Sequence, residues 1–368
     1  MPKILYITST LKRTGPNNVL YNLISELNRE KFEPVILTLS AEDPNFPSLW
    51  GDFEDINVEI YSCNFSRIKG FISGKREISK FVKDHNIDAV HIYGFRGDCL
   101  VDSKISKSVV STINSNIFDD YTMLYGKFTG RIMAYLHIRA LKGKTSIACS
   151  QFVADELEQR YKIKLNVIYN GIPCKQYTLT SKTEKLDIRK ELNLPKEKRI
   201  FIFVGYLIFR KDPITAIDGF LNSDISKNSL LLIIGDGPLM EDCKKRCVNL
   251  SESVMFLGNQ PSTLAYLKAS DFYISSAYSE GLPTSVMEAM GCGLPVILSD
   301  INPHKELVSS IKKWDYLFPI NKPEILSERI KNITEDDYKE LSEKCRNVIF
   351  NEINSTIMCS NYQLLYEK

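Results

Sequence analysis

Asp271 to Asp300 reads DFYISSAYSEGLPTSVMEAMGCGLPVILSD, and the reading of this stretch decides the fold. Asp271 to Ser275 is aromatic and β-branched and ends in small polar residues, which is the pattern of a short buried strand. Glu280-Gly281-Leu282-Pro283 is a turn. Ser285 starts a predicted helix that runs through Met290, where Gly291 and Gly293 stop it. Pro295 to Leu298 is a second apolar strand. Strand, loop, helix and strand together have the length of a crossover between parallel strands. In open sheets of this kind ligands lie beyond the carboxyl ends of the strands, which is where Ser275 to Glu280 falls.

Two carboxylates frame the loop. Glu280 precedes the turn, and Glu288 follows eight positions later, within the first turn of the predicted helix. Ser285-x-x-Glu288 also fits a capping box, in which the carboxylate reaches back to a free backbone N–H. A glutamate in a Gly-Pro turn is ordinarily a solvated charge. The ordered string is more specific than either residue. Glu-Gly-Leu-Pro, seven residues between the glutamates, Glu-Ala-Met, Gly-x-Pro-Val and a closing Ser-Asp resemble the signature of the retaining glycosyltransferases of family four, also called group 1. That resemblance implies an α/β protein of GT-B architecture: two Rossmann-like domains with doubly wound parallel sheets, facing a cleft.

The rest of the chain permits this. At 368 residues, 43% hydrophobic and 25% charged, it suits two soluble domains. A net charge of +2 gives no whole-chain attraction to nucleic acid. Nine cysteines form no C-x-x-C pair and the four histidines adjoin no cysteine cluster, which reads as reduced thiols and no zinc site. The longest apolar run, Ile200 to Phe209, is far short of the roughly twenty residues of a membrane span. Lys3 to Thr8 already reads as a strand, so no signal peptide is expected.

Strand and helix patterns alternate through the first half. Lys3–Thr8, Val35–Leu39, Val58–Tyr61, Ala89–Tyr93, Val109–Ile113, Ser146–Cys149 and Val167–Tyr169 are strand candidates, and Asn17 to Arg29 is the first helix. Asn170-Gly171-Ile172-Pro173 breaks the pattern. A second set follows at Ile200–Val204, Leu230–Ile234, Val254–Leu257, Phe272–Ser275 and Val296–Leu298. Such alternation argues for parallel, doubly wound sheets. The expected domains are residues 1–170, which the resemblance makes acceptor-binding, and residues 171–350, which it makes donor-binding. A C-terminal helix at about 351–368 is expected to return to the first. No G-x-G-x-x-G follows the first strand, which weighs against a nicotinamide dehydrogenase.

The chemistry would be transfer from a nucleotide sugar, in which charge develops on a departing diphosphate and fixed cations and N–H dipoles stabilise it. By resemblance, Lys211, six places after Gly205, is the phosphate lysine. Tyr206 replaces the arginine that relatives often carry, and Arg210 is the candidate substitute. Gly15 resembles the glycine loop that lets backbone approach the diphosphate. Leu257 and Gly258 look like the loop that meets the base. By the same resemblance Leu282, Pro283, Thr284 and Ser285 lie on the donor side, and the free N–H groups at Ser285 to Met287 offer an anion site of the kind helix N-termini form. The resemblance implies that Glu288 accepts from ribose hydroxyls and that Glu280 faces the donor sugar or reaction centre. Asn114 stands on the acceptor side, where many relatives carry histidine. An amide can orient a hydroxyl but cannot serve as a base near neutral pH. His304 is either a loop histidine or a ligand contact. Gly235-Asp236-Gly237-Pro238 reads as a strand-to-helix turn.

With no Asp-x-Asp pair, no metal and no cofactor are expected, the nucleotide sugar being substrate. The resemblance implies a hexosyl or N-acetylhexosaminyl transfer from a UDP-linked donor to a glycan or lipid-linked acceptor, in bacterial capsule or O-antigen synthesis. Alternatives are an epimerase or sugar-phosphate synthase on the same fold, or a catalytically silent nucleotide-sugar-binding subunit. The expected location is cytoplasmic, peripheral on the inner face of the plasma membrane. From Tyr121 to Ala154 there is no acidic residue, while Lys127, Arg131, Arg139, Lys142 and Lys144 interleave with apolar side chains. That pattern suits a helix docked on an anionic membrane. A second basic run from Arg67 to Lys83 lies in the same half.

Overall fold

The computed structural model describes residues 1–248, 252–311, 314–333 and 335–367. The chain divides into two units, residues 1–171 with 355–368, and residues 172–354.

In the first unit, seven strands form one sheet: β1 (Lys3–Thr8), β2 (Glu33–Thr38), β3 (Glu59–Ser62), β4 (Ala89–Tyr93), β5 (Ser108–Ile113), β6 (Thr145–Ala148) and β7 (Asn166–Val167). Their order is β3-β2-β1-β4-β5-β6-β7, and every pairing is parallel. Successive residues of β1 serve opposite faces. Ile4 and Tyr6 join one buried cluster, and Leu5 and Ile7 join another. This two-sided burial is why the strands read as continuous apolar runs. Each buried Leu or Ile contributes on the order of 1.5–3 kcal/mol.

The helix Ser355–Tyr366 belongs to this unit. Its Tyr366 hydroxyl lies 2.6 Å from Nδ1 of the buried His91, and its Tyr362 hydroxyl lies 2.7 Å from Thr112 Oγ1. The helix thus completes the layer over β4 and β5.

The second unit repeats the plan with β8 (Arg199–Val204), β9 (Ser229–Ile234), β10 (Val254–Gly258), β11 (Phe272–Ser275), β12 (Val296–Ser299) and β13 (Leu317–Phe318). The order is β10-β9-β8-β11-β12-β13, again parallel throughout. The strand order reverses beside β1 in the first sheet and beside β8 in the second. Such switch points leave a crevice at the carboxyl ends of the strands.

Most strand ends shift by one or two residues, and two elements differ more from expectation. The first helix is Gly15–Ser25 and not Asn17 to Arg29, because Pro16 at its first turn fixes a helical φ. β13 was not foreseen, since two residues carry no periodicity.

Candidate functional site

β8 and β11 are neighbours at the switch point of the second unit, and the loops that leave them are laced together. After β8 the chain makes a 3₁₀ turn at Phe209–Lys211. Asp212 then caps the helix Pro213–Leu221 from the left-handed region, at φ 47, with its carboxylate accepting from Thr215 N at 3.2 Å. From the β11 side, Ser276 Oγ donates to Asp212 O at 2.6 Å, and Tyr278 N donates to Arg210 O at 2.8 Å. Arg210 Nη1 returns a bond to Ser279 O at 2.8 Å. Backbone and side chains therefore fix Arg210 and Lys211 against the start of the Glu280 loop.

Glu280 is 5% exposed and receives both cations. Arg210 Nη1 lies 3.0 Å from Oε2, and Lys211 Nζ is bonded to Oε1. Burial by itself would raise this carboxyl, but the Lys211 and Arg210 charges outweigh it and hold it at about 2. Behind them sits His304, wholly buried. Its Nδ1 is 2.8 Å from the Ser299 carbonyl, which can only accept, so Nδ1 carries the proton and Nε2 faces Ser275 Oγ at 3.3 Å as acceptor. Burial pushes the imidazole down to about 4, which leaves it neutral at pH 7. Both ring nitrogens are occupied by protein, so His304 is a structural histidine that ties β11 to β12.

Glycines let the neighbouring loops close. A Cβ on Gly235, at φ +128, would lie 1.9 Å from the Gly205 carbonyl oxygen, and one on Gly237 would lie 2.6 Å from that of Leu207. The loops after β8 and β9 touch through backbone, with Leu207 N donating to Asp236 O at 2.9 Å and Leu239 N to Leu207 O at 3.0 Å. Gly258 ends β10 at φ +64, and its carbonyl accepts from Gly235 N at 2.8 Å. The Leu257 carbonyl accepts from Gln260 Nε2 at 2.6 Å. Gly205, by contrast, has ordinary φ, and an added Cβ would make only van der Waals contact, with the Lys211 stem and the Phe203 ring, both at 3.7 Å.

The helix at the end of the loop runs Thr284–Gly291, with buried Pro283 as its N-cap and no side-chain capping bond. The capping-box expectation is therefore corrected. Glu288 is the fifth helical residue, two places past the third, from which a capping side chain reaches back, and the N-cap Pro283 has no N–H to receive it. Its carboxylate instead takes a 3.4 Å bond from Thr263 Oγ1 and one from the Tyr177 hydroxyl. Burial raises it to about 7, against the pull of those two donors. Ser285 Oγ lies 2.8 Å from the Tyr273 hydroxyl, and Leu282 is buried under the loop. The first turn presents the backbone N–H groups of Thr284 and Ser285, which a helix cannot satisfy internally.

Gly15 and Asn114 lie in the first unit. Gly15 is the first residue of its helix and not a loop glycine; the loop before it is held by Asn17, whose Nδ2 donates to Thr10 O at 2.9 Å and Lys12 O at 2.7 Å. Asn114 follows β5, and its Oδ1 accepts from Asn170 Nδ2 at 3.1 Å.

The second unit thus gathers Arg210, Lys211 and Glu280 on two adjacent loops, with Leu282 to Ser285 and Glu288 on the helix that follows. The cations can neutralise a diphosphate, and the carboxylate can exchange with it. Sequence reasoning missed Tyr177, Thr263 and Asn170. Tyr177 sits in a polar stretch that reads as linker, and no local pattern couples it to Glu288.

Two family models match the chain, one described as Glycosyltransferase Family 4 over residues 13–176 and one as Glycosyl transferases group 1 over residues 184–351. The UDP-Gal:alpha-D-GlcNAc-diphosphoundecaprenol alpha-1,3-galactosyltransferase of Escherichia coli is 27% identical over 292 residues, covering 75% of this chain and 74% of that protein. The O-antigen biosynthesis glycosyltransferase WclY of Escherichia coli is 26% identical over 379 residues, covering 99% and 98%. Among solved structures, HepE of Anabaena in complex with UDP-glucose superposes with a TM-score of 0.82 at 16% identity over the whole of both chains. At that identity the likeness concerns the fold.

Proposed function

Because the chain belongs to the group 1, family 4 glycosyltransferases and has their GT-B fold, we propose that it moves a hexosyl or N-acetylhexosaminyl unit from a UDP-linked donor to a lipid-borne glycan, with retention of anomeric configuration. The observation that carries this reading is the pairing of Arg210 and Lys211 with the buried Glu280 at the switch point of the second sheet.

In this reading the donor diphosphate enters beside Lys211 and Arg210. As the bond to the anomeric carbon breaks, the leaving phosphate gains negative charge, and two fixed cations with the N–H groups of Thr284 and Ser285 stabilise it without reorganising. Glu280, displaced from its cations, turns to the donor sugar. Glu288 and Tyr177 hold the ribose hydroxyls, and the Leu257-Gly258 backbone meets the base. The first unit supplies the acceptor side, where Asn114, oriented by Asn170, positions the incoming hydroxyl. Proton removal falls to the donor phosphate, since an amide is no base. Charge on the diphosphate is met by side chains, so turnover is expected to persist in a chelator.

The names of the relatives support a place in surface polysaccharide synthesis; the location we propose with it is peripheral, on the inner face of the plasma membrane. The test is UDP release from a panel of UDP-sugars with a lipid-diphosphate sugar as acceptor, followed by NMR of the product's anomeric proton. Retention supports the reading and inversion rejects it. A silent binding subunit, which the amide of Asn114 favours, would bind UDP-sugar and release no UDP with or without acceptor.

A further inference from the structure

The helix Lys127–Ala140 is built inside out. The side it turns to the protein carries Gly130, Ala134 and His137, and the residues at 128, 132, 135 and 136, spaced as one helical face, are exposed. That outer face is Phe128, Ile132, Tyr135 and Leu136, with Phe128 80% exposed. A helix that served only the core would place these inward.

The inner side explains the inversion. Gly130 packs so closely on the preceding helix, Ile117–Tyr125, that a Cβ would lie 2.4 Å from the Tyr121 carbonyl oxygen. His137 is clamped between the Tyr121 hydroxyl, 2.9 Å from Nδ1, and the buried Asp98, 2.9 Å from Nε2. The same Asp98 binds the buried Lys144, with Nζ 3.4 Å from Oδ1. Lys144 is thereby removed from the cationic surface that the sequence suggested. Small residues and a polar clamp hold the helix down, which leaves its large apolar residues facing out.

Lys127, Arg131 and Arg139 on the helix and Lys142 just after it remain exposed, as do Met123 and Leu124 at the end of the preceding helix. Gly126, at φ +81, breaks the single helix expected here into two. The nearest acids in sequence, Asp119 and Asp120, lie a helix away in the first turn of Ile117–Tyr125. On the other basic helix, Arg67–Asp84, Lys69 is 3.9 Å from Glu77, and the Arg67 side chain lies outside the described residues.

We propose that the outer face of Lys127–Ala140 lies in the interface of an anionic phospholipid bilayer, with Phe128, Ile132 and Leu136 among the acyl chains and the four cations at the headgroups. Apolar residues flanked by cations, without an acid among them, match that surface. A second copy of the chain fits poorly, because self-pairing would set the same four cations against one another. The proposal deepens the reading of a lipid-borne acceptor and rests on it for its purpose.

The experiment is co-sedimentation of the full chain with phosphatidylglycerol vesicles and with neutral phosphatidylcholine vesicles, at low and high salt. The wild type is expected to pellet with the anionic vesicles and to be released by salt. Replacing Lys127, Arg131, Arg139 and Lys142 by Ser is expected to weaken binding by about a hundredfold or more. Phe128→Ser with Ile132→Ser is expected to weaken it at every salt concentration. Phe128→Trp, which keeps the face apolar, should shift its fluorescence to the blue on anionic vesicles only. Wild type remaining in the supernatant at low salt, variants that pellet like wild type, or an unshifted Phe128→Trp overturns the proposal, as does a dimer that Phe128→Ser dissociates. Transfer to a soluble short acceptor should be the same in all variants. Its absence in the wild type counts against the transfer reading and leaves the vesicle result standing.

Discussion

Arg210 Nη1 lies 3.0 Å from Glu280 Oε2, and Lys211 closes the same carboxylate from its other oxygen. The two cations read as a phosphate cradle are therefore already paired with the glutamate that begins the signature loop, which offsets one of their two charges. A diphosphate must compete with that carboxylate for them.

Glu280→Gln removes the competing charge and keeps the shape. It is expected to tighten UDP binding several-fold and to slow transfer by about a hundredfold, as loss of one preorganised group at the reacting centre commonly does. Calorimetry with UDP and steady-state rates under saturating donor read the two effects. Weaker UDP binding in the variant would show that Glu280 supports the nucleotide and does not compete with it.

Lys211→Ala is expected to lower turnover by about a hundredfold or more under saturating donor. Arg210→Ala should cost less, because Arg210 also spends a bond on the Ser279 carbonyl. Near-normal turnover in Lys211→Ala, or a larger loss in Arg210→Ala, reverses the assignment.

Glu288 stands at about 7 in the free protein, raised by burial. If ribose hydroxyls donate to it, binding favours the ionised form and lowers its pKa in the complex. UDP affinity should then rise with pH up to about 7 and level off above. Glu288→Gln should flatten the profile between pH 6 and 8. The stability sign is opposite. A carboxyl whose folded pKa exceeds its unfolded value stabilises fully at pH below the unfolded value, and the contribution is lost as pH rises through about 7. Glu288→Gln should therefore remove a loss of stability between about pH 4.5 and 7, measurable by urea titration.

Gly235→Ala places a Cβ 1.9 Å from the Gly205 carbonyl at a φ that L-residues avoid, and is expected to destabilise the second unit by about 3 kcal/mol or more. Gly205→Ala meets nothing closer than 3.7 Å and should unfold like wild type. A fall in UDP affinity in Gly205→Ala, with stability unchanged, would mark that glycine as kept for the ligand. Unchanged affinity would remove it from the site.

The sequence by itself determined the alternation of strand and helix and the parallel, doubly wound class. It placed β1 and β4 to the residue and β11 to within one, because buried parallel strands are continuous apolar runs whose signal is local. It also placed Lys211 and Glu280 on the loops that follow β8 and β11. Tertiary structure decided what those charges do. Glu288 has a local reading as a helix cap, and only packing against Thr263 and Tyr177, remote in sequence, turns it into a raised carboxyl beside a tyrosine. Lys144 looks like its exposed basic neighbours until Asp98 buries it. Helix periodicity told that Phe128, Ile132 and Leu136 share a face; that the face points outward followed from Gly130, His137 and Asp98 holding the opposite side. Periodicity is set by bonds a few residues apart. Burial and protonation are set by which distant atoms exclude water, and those are assembled only by the fold.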